Sequence, residues 1–227
     1  MSVIKPLPVT DDNRTAVAYV GTTPAEGLVQ LEILKRLGCW PQHDVLEIGC
    51  GALIAGYPIM QYLAPGGYCG IEPNTHLFFA SLDVLRGDGA LARSEARFAA
   101  APNFRSGDGA EAFDFILSHS IASHTSDAQL TDMLAAIAEQ LRPGGAAAIS
   151  LRLAEGNAYG SPGSKVHGAA FATWQYPGVS WFRRDDVFAR AAAAGLTARL
   201  EPEFTRMILA GNPKSCHDWI VLTKAGA

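Results

Sequence analysis

The chain has 227 residues, is 48% hydrophobic and carries a formal net charge of -4, from 18 Lys and Arg against 22 Asp and Glu. That length suits a single α/β domain with additions, and the apolar share supports a sizeable core. No basic cluster exceeds a pair such as Arg183-Arg184, which argues against a nucleic-acid partner. No apolar run approaches the ~20 residues that cross a bilayer. The four cysteines, Cys39, Cys50, Cys69 and Cys216, lack metal-site spacing. The first twelve residues hold no apolar signal core, so a cytoplasmic protein is expected.

Residues 1–38 read as an N-terminal arm and helix. Pro6, Pro8 and Gly21 mark an extended arm, in which residues 13–20 form a short helix or cover a cleft. Leu28, Leu31, Leu34 and Leu37 recur at helical spacing, and Gly38 caps them. Residues 44–48 are the first strand. The helix after it runs to about residue 63 and starts late, because Pro58 is tolerated only in a first turn. Pro65-Gly66-Gly67 turns into the second strand, which ends at Glu72. A helix over 77–86 is broken by Gly87-Asp88-Gly89, and residues 97–101 are the third strand. Residues 113–117 form a continuous apolar strand, as expected when both faces are covered. A patterned helix over 130–141 ends at Pro143-Gly144-Gly145, and residues 146–151 are the fifth strand.

Residues 152–182 are rich in Gly, Pro, Tyr and Trp without clear periodicity, and read as a lid-like insert. A helix over 184–194 follows. Residues 197–209 and 217–223 read as a terminal hairpin linked through Gly211-Asn212-Pro213. Strands that alternate with helices and then pair locally predict a doubly wound α/β fold. Its sheet is mostly parallel with an antiparallel edge strand, and helices lie on both faces.

The segment Asp44-Val45-Leu46-Glu47-Ile48-Gly49-Cys50-Gly51 runs a strand into a G-x-G turn, where a missing Cβ lets backbone approach a ligand. Glu72 ends the next strand about 20 residues on, the spacing at which a carboxylate accepts ribose hydroxyls. A nucleoside-containing cofactor follows. A dinucleotide is disfavoured, since Ile54 occupies the third-glycine position and Glu47 would repel a pyrophosphate. No G-K-[ST] is present, which excludes a P-loop.

Four segments in this order, Val45-Leu46-Glu47-Ile48-Gly49-Cys50-Gly51, Tyr68-Cys69-Gly70-Ile71-Glu72-Pro73-Asn74, Phe113-Asp114-Phe115-Ile116-Leu117 and Leu141-Arg142-Pro143-Gly144-Gly145, resemble those of class I S-adenosylmethionine (SAM) dependent methyltransferases. The resemblance covers roughly residues 28–150. One departure is Leu53, where E-x-G-x-G-x-G has its last glycine. It implies a seven-stranded sheet, SAM as cofactor with S-adenosylhomocysteine (SAH) as product, and a small-molecule acceptor methylated on O or N. A homodimer is compatible with it. Two alternatives stay open: a non-catalytic SAM- or partner-binding module, and an NAD-type oxidoreductase.

The resemblance assigns the backbone of Gly49, Cys50 and Gly51 to the cofactor, Glu47 to its methionine end or, as the alternative, to capping neighbouring N–H groups, and Pro73 and Asn74 to the adenine side. The adenine amine is accepted either by Asn103, with Phe104 packed on the ring, or by Asp108 in a Gly-Asp-Gly turn. Ser118 and His119 leave the fourth strand at the cofactor edge, and His119 and His124 are the general-base candidates. Tyr159, His167, Trp174, Tyr176 and Trp181 of the insert are the candidate acceptor wall; the alternative is that these side chains staple the insert to the core. His217-Asp218-Trp219 opens the last strand and reads as an edge cap.

Overall fold

The computed structural model describes residues 3–110, 112–161, 171, 173–175 and 177–226. The strands β1 (Val45–Ile48), β2 (Tyr68–Ile71), β3 (Arg97–Ala99), β4 (Phe113–Ser118), β5 (Leu141–Leu151), β9 (Leu196–Leu200) and β10 (Asp218–Lys224) form a seven-stranded sheet in the order β3-β2-β1-β4-β5-β10-β9. The first five are mutually parallel. β10 runs antiparallel to both β5 and β9, which sets the antiparallel pairing at one edge. The chain travels outward from β1 to β3 and then returns to β4 beside β1. The carboxyl ends of β1 and β4 therefore flank a switch point, where open α/β sheets bind ligands.

Alternate strand residues serve two cores. Val45, Tyr68, Phe115 and Leu117 belong to one cluster, with α2 (Pro24–Arg36), α3 (Gly56–Tyr62), α4 (Thr75–Gly87) and α8 (Pro202–Gly211). Leu46, Cys69 and Ile116 belong to the other, with α6 (Asp127–Gln140) and α7 (Arg184–Ala193). This two-sided burial explains the continuous apolar strands. In α6, Leu130, Met133, Leu134 and Ile137 sit at i, i+3, i+4 and i+7 and are fully buried. Each such side chain stabilises by about 1.5–3 kcal/mol. Ser126 and Gln129 close a capping box on α6, as Thr23 and Glu26 do on α2.

Two stretches differ from the sequence expectation. The terminal hairpin contains a helix: the strand stops at Leu200, and α8 starts with Pro202 in its first turn and buries Phe204 and Ile208. Those two residues are four apart, which fits a helix and puts them on one face. The 152–182 insert carries β6 (Leu153–Ala154), β7 (Ala158–Gly160) and β8 (Val179–Arg183), which pair in the order β6-β8-β7. Short pairings of this kind leave little period to read. The N-terminal arm holds α1 (Arg14–Val20); α5 (Ala90–Ser94) precedes β3. No helix among the described residues is long and apolar enough to cross a membrane.

Candidate active site

After β1 the backbone enters a tight turn. Gly49 and Gly51 take φ values of 77° and 48°, and Leu53 takes 61°. For leucine the left-handed region costs about 1–2 kcal/mol. Its side chain is fully buried, which offsets that strain and accounts for an apolar residue where the family motif has glycine. The N–H groups of Gly49 and Cys50 both donate to Ile71 O, at 2.8 and 3.0 Å. Glu72 then clamps the turn: Oε2 accepts from Gly51 N at 3.1 Å and Oε1 from Asn74 N at 2.8 Å. Each oxygen keeps a further lone pair for a ligand hydroxyl. Burial pushes the Glu72 carboxyl up from its ordinary range, and the two N–H donors oppose that shift.

The space a Cβ would take at Gly49 is already filled from within the chain, because Ile121 Cδ1 would stand 2.1 Å away. Glycine is needed there for packing as well as for its φ. Glu47 is 5% exposed, and its Oε2 accepts from Tyr68 Oη at 2.5 Å. Burial raises its pKa to about 8, with Tyr68 opposing and the Glu72 charge adding.

These groups open on a cavity of about 650 Å³, a volume usual for small-molecule sites. Glu47, Gly49, Cys50, Gly51, Glu72, Pro73 and Asn74 line it from the β1 and β2 ends. Phe104 lines it together with Ala101 and Pro102, and His119, His124 and Trp174 line it from the other side. Phe104 and Ser120, both in the wall, have φ of 63° and 64°; such conformations cluster at functional sites.

Five candidate residues stand outside the wall. Asn103 is exposed, and its Oδ1 accepts from Arg105 N at 3.3 Å, a local turn contact. Ser118 is 1% exposed and donates to Ile48 O at 3.0 Å, which makes it a tie between β4 and β1. Tyr159 sits on β7, opposite Ser180. Trp181 is 4% exposed beneath the Arg152 guanidinium at 5.3 Å and so anchors the insert. Asp108 is also absent from the wall; it pairs with Arg97 at 3.7 Å. His167 and Tyr176 lie outside the described residues. Sequence reasoning missed Gln30, Ile121 and Gly178, which share the cavity but carry no motif. Val20 and Tyr19 of α1 also line it, consistent with an arm that covers the cleft.

The two histidines of the wall differ in how their rings are held. His124 ends a 3-10 turn, Ala122–His124, and its Nδ1 lies 3.0 Å from Gly178 O. A carbonyl only accepts, so Nδ1 carries a proton and the neutral ring keeps its lone pair on Nε2. Burial holds its pKa below the ordinary histidine value; the Arg152 charge acts the same way and the Gly178 carbonyl opposes. His119 stacks on Trp219, with ring centroids 5.5 Å apart and planes 6° apart. Gln30 Nε2 faces its Nδ1 at 3.4 Å, and the buried Nε2 of the ring has no hydrogen-bond partner among the described residues. As oriented, the Gln30 amide donates to Nδ1 and the ring proton sits on Nε2. In that tautomer His119 is a hydrogen-bond donor at Nε2. Burial lowers its pKa to about 4.

Behind His119, the ring of His217 stands edge-on at 5.6 Å, with Nε2 3.1 Å from Ser123 Oγ and 3.3 Å from Ser120 Oγ. Ser123 donates to Ser120 O, so His217 Nε2 donates to Ser123 and does not activate Ser120 as a nucleophile. Among the described residues no group of three His, Cys, Asp or Glu could hold a metal ion.

No protein-family model and no curated protein matches this sequence. Solved structures do match in shape. The CcbJ methyltransferase from Streptomyces caelestis is 16% identical, over 90% of this chain and 98% of that one, with a TM-score of 0.63. A SAM-dependent methyltransferase from Methanosarcina mazei is 12% identical, over 86% and 98%, with a TM-score of 0.62. The chain has the fold of the class I SAM-dependent methyltransferases. The cyclase SpnF shares this methyltransferase fold as well, at 14% identity over 100% and 89%, with a TM-score of 0.60.

Proposed function

We propose that this chain is a SAM-dependent methyltransferase that acts on an oxygen or nitrogen of a small-molecule acceptor. The observation that carries the reading is one cavity with two chemically distinct ends, the Glu72-clamped glycine turn and the His124 ring held through Nδ1 on Gly178 O. The first end suits SAM. Glu72 retains acceptor capacity for vicinal hydroxyls at the end of β2, Phe104 offers a ring face beside Ala101 and Pro102, and an ammonium beside Glu47 would favour its ionised form over the protonated one that burial favours in the empty site. The Nε2–H of His119 is a buried donor that a bound carboxylate or carbonyl would satisfy.

SAM supplies an already activated methyl group, so the protein's task is alignment, exclusion of water and removal of one proton. His124 Nε2 takes that proton from the acceptor, and the imidazolium keeps its Nδ1–H on Gly178 O. Its lowered pKa keeps the ring neutral, and so able to act as base, at neutral pH. Trp174 and Pro177 close the wall on the acceptor side.

Because one structural neighbour is a cyclase, the deciding experiment measures turnover as well as binding. SAH titrated by calorimetry should bind in the micromolar range, and SAM should be converted to SAH in the presence of a panel of phenols, alcohols and amines. Absence of SAH binding would sink the reading. Binding without turnover over a broad panel would favour the non-catalytic module.

A further inference from the structure

We propose that the main-chain carbonyl of Gly178 is the positioning group for His124: it holds the Nδ1 proton, leaves Nε2 as the base, and so couples that base to the placement of residues 177–183. This rests on the methyltransferase reading and deepens it.

The geometry carries the argument. The opposite tautomer would set the Nδ1 lone pair against the carbonyl lone pairs at 3.0 Å, a repulsive contact. The backbone that carries the ring is held in place. His124 N donates to Ile121 O at 2.8 Å in the 3-10 turn, and the Ile121 side chain is seated over Gly49. The carbonyl is equally constrained. A Cβ at Gly178 would lie 2.4 Å from Gln175 O and 3.1 Å from Gly160 O, both backbone atoms that cannot swing aside. Two residues on, Ser180 Oγ donates to Thr125 O at 2.5 Å, so β8 is tied to the residue next to His124.

The same short stretch contributes Trp174 and Pro177 to the cavity wall. One stretch therefore both walls the cavity and supplies the carbonyl that selects the tautomer. The titratable groups facing the pair are Arg152, past the end of β5, and His217, before β10, whose ring burial keeps neutral. Neither can replace Gly178 as an acceptor: a guanidinium only donates, and the His217 ring is turned to Ser123.

The test reads the imidazole nitrogens of the full-length protein by long-range proton–nitrogen correlation, with SAH bound, at a pH where His124 is neutral. The wild type should show His124 with its proton on Nδ1. Gly178→Ala should move the population toward Nε2–H while SAH affinity stays within about two-fold, and turnover should fall by roughly 10–100-fold, as when an orienting partner of a functional histidine is lost. Ser180→Ala, which removes one tie and adds no bulk, should shift the tautomer in the same direction by less, and covers the case in which Gly178→Ala does not fold. A wild-type His124 protonated on Nε2, or a folded Gly178→Ala protein with an unchanged tautomer, overturns the proposal. Failure of the wild type to bind SAH would instead overturn the methyltransferase reading, with the tautomer measured on the free protein still deciding the role of Gly178.

Discussion

The two ends of the cavity are built in different ways. At the β1–β2 end, the glycine turn and Glu72 lie within one stretch of chain, and hydrogen bonds from Gly51 and Asn74 to a single carboxylate hold the shape. At the His124 end, the parts come from far apart: Gln30 against His119, Gly178 against His124, and Trp219 against His119. The first end is a local motif that tolerates change elsewhere. The second depends on the insert and on the last strand being docked. Substitutions at the first end should therefore act on affinity, and those at the second on turnover.

The largest expected effect tests that division. His124→Ala should lower turnover by about 10²–10⁴ and leave SAH affinity unchanged, by steady-state rates and calorimetry. A matching loss of affinity would erase the distinction between the ends. Glu72→Ala should do the reverse and weaken SAH binding by about 1.5–3 kcal/mol, roughly 10- to 150-fold. Equal affinity in that variant would remove Glu72 from the ribose.

Gly49→Ala joins the two ends, because the new methyl meets Ile121 from the His124 turn. It should destabilise by about 1–3 kcal/mol in chemical denaturation, and Ile121→Ala in the same chain should recover part of that loss. Strictly additive effects would show that the φ of Gly49, and not the contact, sets the cost.

The pH dependence should also differ between the ends. Glu47 has its pKa raised to about 8, so the stability tied to its protonated form is complete below the ordinary carboxylate pKa and is lost as pH rises through about 8. His119 is lowered to about 4, so its contribution is complete above the ordinary histidine pKa and is lost as pH falls through about 4. Melting curves of Glu47→Gln without ligand should fall less steeply than wild type between pH 5 and 9, and parallel curves would place the titration elsewhere. The smallest effects are expected at Asn103→Ala and Asp108→Ala, whose side chains stand outside the wall. Each should change SAH affinity by less than about two-fold, as for surface positions, whereas Phe104→Ala should weaken it measurably.

The sequence by itself determined the parallel sheet, the glycine turn and Glu72 at the end of β2. Each follows from constraints that act over a few residues: the burial of both strand faces and the φ that glycine permits. It also marked His119 and His124 by their place after β4, but could not say which ring is a base. How each ring is held was decided only by the tertiary structure, through a carbonyl 54 positions from His124 and an amide 89 positions from His119. The same holds for α8 within the expected hairpin and for Asn103, which turns to Arg105 and away from the cavity. Such choices depend on which surfaces the packed chain brings within hydrogen-bond reach, and no local pattern encodes that.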